Sequence, residues 1–101
     1  MKRSTAGKRT PAKSQQTIHR IYTEKKNSRL IVKLISEQFE SFTIHPTLGY
    51  YRGAKEESIA IEIVGAGARA IRKVAEAIQK MNGQRSVLVI RFLAETESIR
   101  W

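Results

Sequence analysis

Two tyrosines and an arginine lie between glycines near the middle of the chain, in the segment Leu48 to Gly53. Aromatic rings stack on nucleobases and a guanidinium group binds phosphate, so Tyr50, Tyr51 and Arg52 have the chemistry of nucleotide or single-strand recognition. The alternative is that one tyrosine packs on a sheet while the other fills a contact between subunits. We take these three residues as candidate ligand-binding residues.

A second candidate phosphate site is the segment Gly65 to Arg69, which lies between a predicted strand and a predicted helix. Backbone N–H groups and the helix dipole attract phosphate there, and Arg69 adds a charge. The dinucleotide-binding fingerprint is incomplete, because the position three residues after Gly67 is Ala70 and no acid follows at the distance of the ribose contact. A plain turn is the simpler interpretation of these glycines, and Arg69 is kept as a candidate ligand contact.

Residues that could catalyse a reaction are sparse. His45 begins a His-Pro-Thr sequence that matches the His-x-Thr pattern of the two-histidine phosphodiesterases, but that family needs the pattern twice and His19 is followed by Arg20 and Ile21. We interpret both histidines as half-exposed strand residues and keep His45 as an alternative acid–base catalyst. The chain has no aspartate and no cysteine, which argues against aspartate-held magnesium, thiol chemistry and disulfides. We therefore expect no metal and no cofactor, and favour a protein that is not an enzyme.

The charge is +10, from 19 lysines and arginines against 9 acids. Residues 1–16 hold half of this excess and almost no large apolar side chain, so they are predicted to form a disordered basic arm before one domain over residues 17–101. A positive field attracts polyanions such as nucleic acid, whereas a merely soluble surface is the alternative. The predicted nucleic-acid contacts of the arm are Lys2, Arg3, Lys8, Arg9 and Lys13.

Membrane and secretion signals are not recognised in the sequence. No apolar run reaches the roughly 18 residues that span a bilayer, and no apolar signal-peptide core follows the basic start. We expect a cytoplasmic protein with no membrane partner.

The first half of the domain is predicted to form a strand, a helix and a strand. β-prone residues indicate a strand over residues 17–24, and apolar residues at three- and four-residue spacing indicate a helix over residues 28–40. Alternation predicts a strand over residues 41–51 that is irregular or at a sheet edge near Pro46. The polar run from Arg52 to Glu57 is predicted to be a loop or hairpin connection.

The second half repeats this order. Isoleucines alternate with other residues over residues 58–63, as in a strand, and a helix follows that ends at Asn82 and Gly83. The apolar run from Val87 to Leu93 predicts a last strand buried on both faces, and residues 94–101 have no clear period. The order strand, helix, strand, strand, helix, strand predicts an α+β ferredoxin-like sandwich, with two helices on one face of a four-stranded antiparallel sheet.

Three stretches carry a resemblance: Phe42 to Ile44 through Gly49 to Gly53, then Ser58 to Ile63, and then Asn82 to Gln84. Together with the order of elements they resemble small uncharacterised ferredoxin-like proteins of bacteria and mobile elements, and their layout is similar to the PII-like signalling proteins, which are trimers. The resemblance implies a homo-oligomer, a dimer or trimer, that binds its ligand in clefts between subunits. The cleft would lie under the loop from Pro46 to Glu57, beside the turn Asn82 to Ser86 that contains Arg85.

Three hypotheses follow. The first is a non-enzymatic, oligomeric binding protein that captures a nucleotide or nucleic acid. The second is a metal-free phosphodiesterase or RNase that uses His45 as its acid–base catalyst, with Tyr51 or Arg52 helping to bind the phosphate. The third is a protein interaction or inhibitor module that docks its open sheet face or an edge strand on another protein. The ligand-binding candidates of the first hypothesis are Tyr50, Tyr51, Arg52, Arg69 and Arg85.

Overall fold

Strands and helices follow one another in the predicted order. A computed structural model describes residues 12–99, so the predicted contacts Lys2, Arg3, Lys8 and Arg9 lie outside the described residues. The elements are β1 (Ala12–Glu24), α1 (Ser28–Ser36), β2 (Thr43–Tyr51), β3 (Ala54–Val64), α2 (Ala68–Asn82) and β4 (Leu88–Ser98). They form one antiparallel sheet with the strand order β2-β3-β1-β4, which confirms the predicted ferredoxin-like fold.

The hydrophobic core lies between the sheet and the two helices. Side chains alternate along a strand, so the isoleucines at 59, 61 and 63 of β3 share one face, and Ile61 is opposite Ile21 of β1. The helices contribute Ile31, Ile35, Ile71, Val74, Ala75 and Ile78 to the same cluster. Both helices therefore cover one face of the sheet, as predicted. The opposite face, here called the open face, is not covered by any described helix.

β1 and β4 are longer than the periodicity predicts. β1 begins at Ala12 rather than Thr17, so Lys13 belongs to a strand, and β4 continues to Ser98. The ladder between β1 and β3 ends at Ile18 and Val64, while the ladder between β1 and β4 continues to Ala12 and Ser98. The extra residues of β1 pair with the extra residues of β4. The hydrophobic pattern within one segment cannot reveal such pairing between distant segments.

The connection between β2 and β3 is shorter than predicted. Only Arg52 and Gly53 separate the two strands, so of the two predicted alternatives the connection is a hairpin, and residues 54–57 belong to β3. Pro46 does not interrupt β2, because β2 is an edge strand and needs no N–H on its outer side. Helix α1 ends at Ser36 instead of residue 40, and Phe39 packs against the core from the turn that follows it.

β4 is not buried on both faces in the single chain. It is the other edge strand, and its open-face residues Leu88, Ile90 and Phe92 are 58%, 40% and 39% exposed. The prediction was wrong because no second layer covers the open face within residues 12–99. Among these residues no helix is long and apolar enough to cross a membrane.

Candidate functional site

Arg52 and Gly53 form the turn of the hairpin between β2 and β3. Tyr51 pairs with Ala54, and the two turn residues have φ angles of 50° and 82°. Two consecutive left-handed residues are typical of a type I′ turn, whose twist matches that of the strands. Gly53 adopts this conformation without strain, whereas a residue with a Cβ incurs about 1–2 kcal/mol. Arg52 therefore occupies a strained position where asparagine is the usual choice.

Tyr50 and Tyr51 lie on opposite faces of this hairpin, because successive side chains of a strand alternate. Both rings are exposed, by 68% and 63%. The guanidinium carbon of Arg52 lies 5.3 Å from the centroid of the Tyr51 ring, within the range of a cation–π contact. Tyr50 is opposite Lys55. A single base can stack on only one of the two rings. Tyr51 is the ring that also contacts the Arg52 guanidinium, so it is the better candidate.

The tip of the hairpin extends beyond the rest of the sheet. The ladder between β1 and β3 stops at Glu24 and Ser58, so residues 54–57 pair only with β2. At a rise of about 3.3 Å per residue, four residues extend roughly 13 Å. The base of this extension is held by Lys25, whose N–H donates to the Glu57 carbonyl at 3.3 Å. A ligand or a neighbouring subunit can therefore reach both sides of the tip.

Arg69 and Arg85 are not brought to the hairpin within one chain. Arg69 is in the first turn of α2, next to the end of β3, whereas the hairpin lies at the start of β3. Arg85 follows α2 in the turn before β4, and β1 and β3 lie between β4 and β2 in the sheet. The predicted ligand residues thus form two groups, one at the hairpin tip and one along α2.

A buried polar network holds the turn that carries Arg85. Asn82 is 2% exposed, and its Nδ2 donates to Thr23 Oγ1 and to Gln84 Oε1, each at 3.0 Å. Its Oδ1 accepts from Asn27 Nδ2 at 2.9 Å. The Thr23 hydroxyl also donates to Gln84 Oε1. The sequence identified Asn82 only as a helix end, yet it ties the turn after α2 to the turn after β1.

His45 is half exposed on the open face of β2, as predicted. Its Nε2 lies 3.9 Å from Glu62 Oε1, which also accepts a hydrogen bond from Arg20 Nε at 2.8 Å. That hydrogen bond with Glu62 raises the pKa of Arg20 above its ordinary value. Tyr51 lies six positions after His45 along β2, a distance of about 20 Å. Tyr51 and Arg52 therefore do not assist His45 in the same chain.

His19 is buried, with 1% exposure, which contradicts the predicted half-exposed position. Its Nε2 is 2.8 Å from the Ala66 carbonyl oxygen and donates to it, so its Nδ1 accepts from Arg91 Nε at 3.3 Å. The ring therefore anchors the segment before α2 to β1. The sequence offered one signal for this burial: His19 is two residues before the buried Ile21, so both side chains lie on the same face of β1. Among the described residues, no three histidine or glutamate side chains cluster as a metal site would require.

No family model matches the chain, and no curated protein matches it significantly in sequence. Solved structures do share its backbone. A DUF3240 family protein from Shewanella baltica is 15% identical over 78% of this chain and 89% of that chain, with a TM-score of 0.61. The nitrogen regulatory PII-like protein CPII from Thiomonas intermedia, in its apo form, is 14% identical over 87% and 98%, with a TM-score of 0.63.

Two further similar structures contain nucleotides. CPII bound to ADP, AMP and bicarbonate is 15% identical over 89% of this chain and 99% of that chain, with a TM-score of 0.58. The GlnK–ATP complex of B. subtilis is 18% identical over 77% and 82%, also with a TM-score of 0.58. The chain therefore has the fold of small PII-like proteins, as the order of its elements predicted.

Proposed function

We propose that this chain is a non-enzymatic, oligomeric protein that binds a nucleotide at the hairpin between β2 and β3. The observation that carries the proposal is the exposed Tyr51 ring with the Arg52 guanidinium over it. A base stacks on the open side of the ring, and the guanidinium N–H groups donate to phosphate at its rim. The ADP, AMP and ATP in the similar structures of CPII and GlnK support a nucleotide as the ligand class.

Backbone strain at the tip supports the same assignment. Asparagine at position 52 would fit a φ of 50° with less strain, and the turn would close equally well. Arginine is less stable than asparagine in this turn, but it places a cation and a stacking surface at an exposed tip. Such strain is characteristic of positions where a ligand is bound. A purely structural hairpin gains nothing from arginine here.

The open face supports oligomerisation. The register places Phe92, Ile18 and Val64 in one row across three strands, and Leu88 and Ile90 continue the apolar surface along β4. Soluble monomers rarely leave a large contiguous apolar surface in water. A second and third copy of the chain would cover it and bring a neighbouring subunit towards the hairpin. An interaction module would use the same face without binding a nucleotide.

Calorimetric titration of the full chain with ADP tests the proposal. Base stacking contributes about 1–3 kcal/mol, so Tyr51→Ala should weaken ADP binding by about tenfold or more. Arg52→Asn should weaken it similarly, because the phosphate contact is lost. Tyr50→Ala is the matched control, since Tyr50 lies on the other face of the hairpin, and it should bind as the wild type does. Absence of ADP binding, or equal losses for Tyr50→Ala and Tyr51→Ala, would contradict the proposal.

A further inference from the structure

The outer side of α2 carries a concentration of cations around two adjoining clefts. One cleft lies along α2 alone, and the other lies between α2 and β4. Both are lined by Arg72 and Glu76, so they form one continuous surface, which we call the α2–β4 groove. Its charged side chains are Arg69, Arg72, Lys73, Glu76, Arg85 and Arg91.

The positive charge of this groove exceeds its negative charge, and the described part of the chain forms no ion pair with it. Glu76 is its one acid against five cations. Among the side chains that the structure describes, the ion pairs join Arg20 and His45 to Glu62 and Lys25 to Glu57, and none involves a groove residue. The groove therefore keeps a strong positive field at the surface.

The same cations disfavour the helix that carries them. Arg72 and Lys73 follow Arg69 by three and four residues, so both lie on its side of α2 and repel it. Arg69 also lies in the first turn, at the positive end of the helix dipole, and that turn contains no acid to offset it. A bound polyanion would remove both penalties. The arrangement is therefore what an anion-binding surface requires and what helix stability alone opposes.

The β4 side of the groove is held in place by hydrogen bonds. Gln79 Nε2 donates to the Arg85 carbonyl at 2.8 Å, which fixes the backbone of the turn against α2. Arg91 Nε donates to Nδ1 of the buried His19 at 3.3 Å. The Arg91 side chain is thus anchored through one nitrogen, and its guanidinium has two further nitrogens that can donate to a ligand. Little ordering entropy has to be lost when a ligand binds to such fixed groups.

The lining of the groove indicates the class of ligand. The cleft between α2 and β4 has a volume of about 410 Å³, is open to solvent and has no aromatic residue in its lining. Pockets for small molecules are mostly enclosed and apolar, with few polar groups. From Arg69 to Gln79 the groove follows ten residues of α2, about 15 Å at 1.5 Å per residue. An extended row of cations without a stacking surface suits repeated phosphates rather than a single base.

We propose that the α2–β4 groove binds the sugar–phosphate backbone of nucleic acid, independently of base sequence. This site is separate from the hairpin and does not depend on nucleotide binding there. Arg72 has the central position, because it lines both clefts. Arg85 and Arg91 extend the row of cations along the β4 side.

The test is a fluorescence anisotropy titration of the full chain with a labelled DNA duplex of about 20 base pairs, between about 50 and 200 mM salt. Each phosphate contact contributes about 0.9 to the slope of log K against log salt for duplex DNA. Arg72→Gln combined with Arg85→Gln should therefore reduce the slope by about 1–2 and weaken binding at the lower salt concentration. The matched control is Arg29→Gln with Lys33→Gln, which removes two exposed cations from α1 outside the groove.

Three outcomes decide the proposal. The proposal is supported when the slope of log K against log salt falls clearly more in the groove variant than in the α1 variant. Both variants must keep the wild-type circular dichroism spectrum. Equal losses for the two variants would overturn it, because the attraction would then come from the net charge alone. No DNA binding at about 50 mM salt would also overturn it.

Discussion

Replacing Asn82 with alanine should remove a large part of the stability of this small domain. The side chain is 2% exposed and takes part in three hydrogen bonds, to Thr23, Gln84 and Asn27, at 2.9–3.0 Å. Each bond contributes a net of about 1 kcal/mol, so their sum is about 3 kcal/mol. Alanine recovers up to about 0.7 kcal/mol through its higher helix propensity. We expect Asn82→Ala to lower the free energy of unfolding by about 2–3 kcal/mol.

The assay for Asn82→Ala is urea denaturation followed by circular dichroism at one fixed protein concentration. The midpoint should fall while the m-value stays unchanged, because the unfolded surface is the same. Gln79→Ala is the matched control on the same helix, since it removes a single exposed hydrogen bond to the Arg85 carbonyl. It should lower the unfolding free energy by less than about 1 kcal/mol. A loss for Asn82→Ala no larger than that of Gln79→Ala would refute the role given to this network.

Three further substitutions test the core, the open face and the hairpin. Ile61→Ala, at a fully buried position of β3, should lower the free energy of unfolding by about 2–5 kcal/mol in urea, and a loss below 1 kcal/mol would contradict the core assignment. Ile90→Lys should reduce the mass measured by sedimentation velocity, whereas Leu30→Lys, at an exposed position of α1, should not. An unchanged mass for both would exclude the open face as the contact between copies. Arg52→Asn should raise the free energy of unfolding by about 1 kcal/mol, with Arg52→Lys unchanged, and a loss of stability would argue against strain at the tip.

The order of the elements could be predicted because each one carries its own period. The isoleucines of β3 alternate, and the buried residues of α2 recur at three- and four-residue spacing up to Gly83, whose φ of 64° caps the helix. The ends of the strands could not be predicted in this way. Ala12 to Gln16 belong to β1 only because residues 94–98 of β4 lie beside them. Such pairing is a property of two distant segments together.

The candidate sites show the same division. Tyr51 and Arg52 were identifiable because aromatic and cationic residues between glycines are unusual, but their placement on a two-residue turn depends on the pairing of β2 with β3. The sequence did not single out Arg72 or Arg91, because scattered cations resemble an ordinary solvated surface. They become a site only where the edge of β4 lies beside α2. The spacing of Arg69, Arg72 and Lys73 was the one available signal.

The most direct test of nucleotide binding at the hairpin is an NMR titration of the isotope-labelled full chain with ADP. Gly53 gives a convenient probe, because it follows Arg52 in the turn and its surroundings are open. We expect amide shifts to concentrate at residues 50–54, to saturate with added ADP and to disappear in Tyr51→Ala. Shifts confined to the α2–β4 groove, or none at the hairpin at saturating ADP, would contradict a nucleotide site formed by Tyr51 and Arg52.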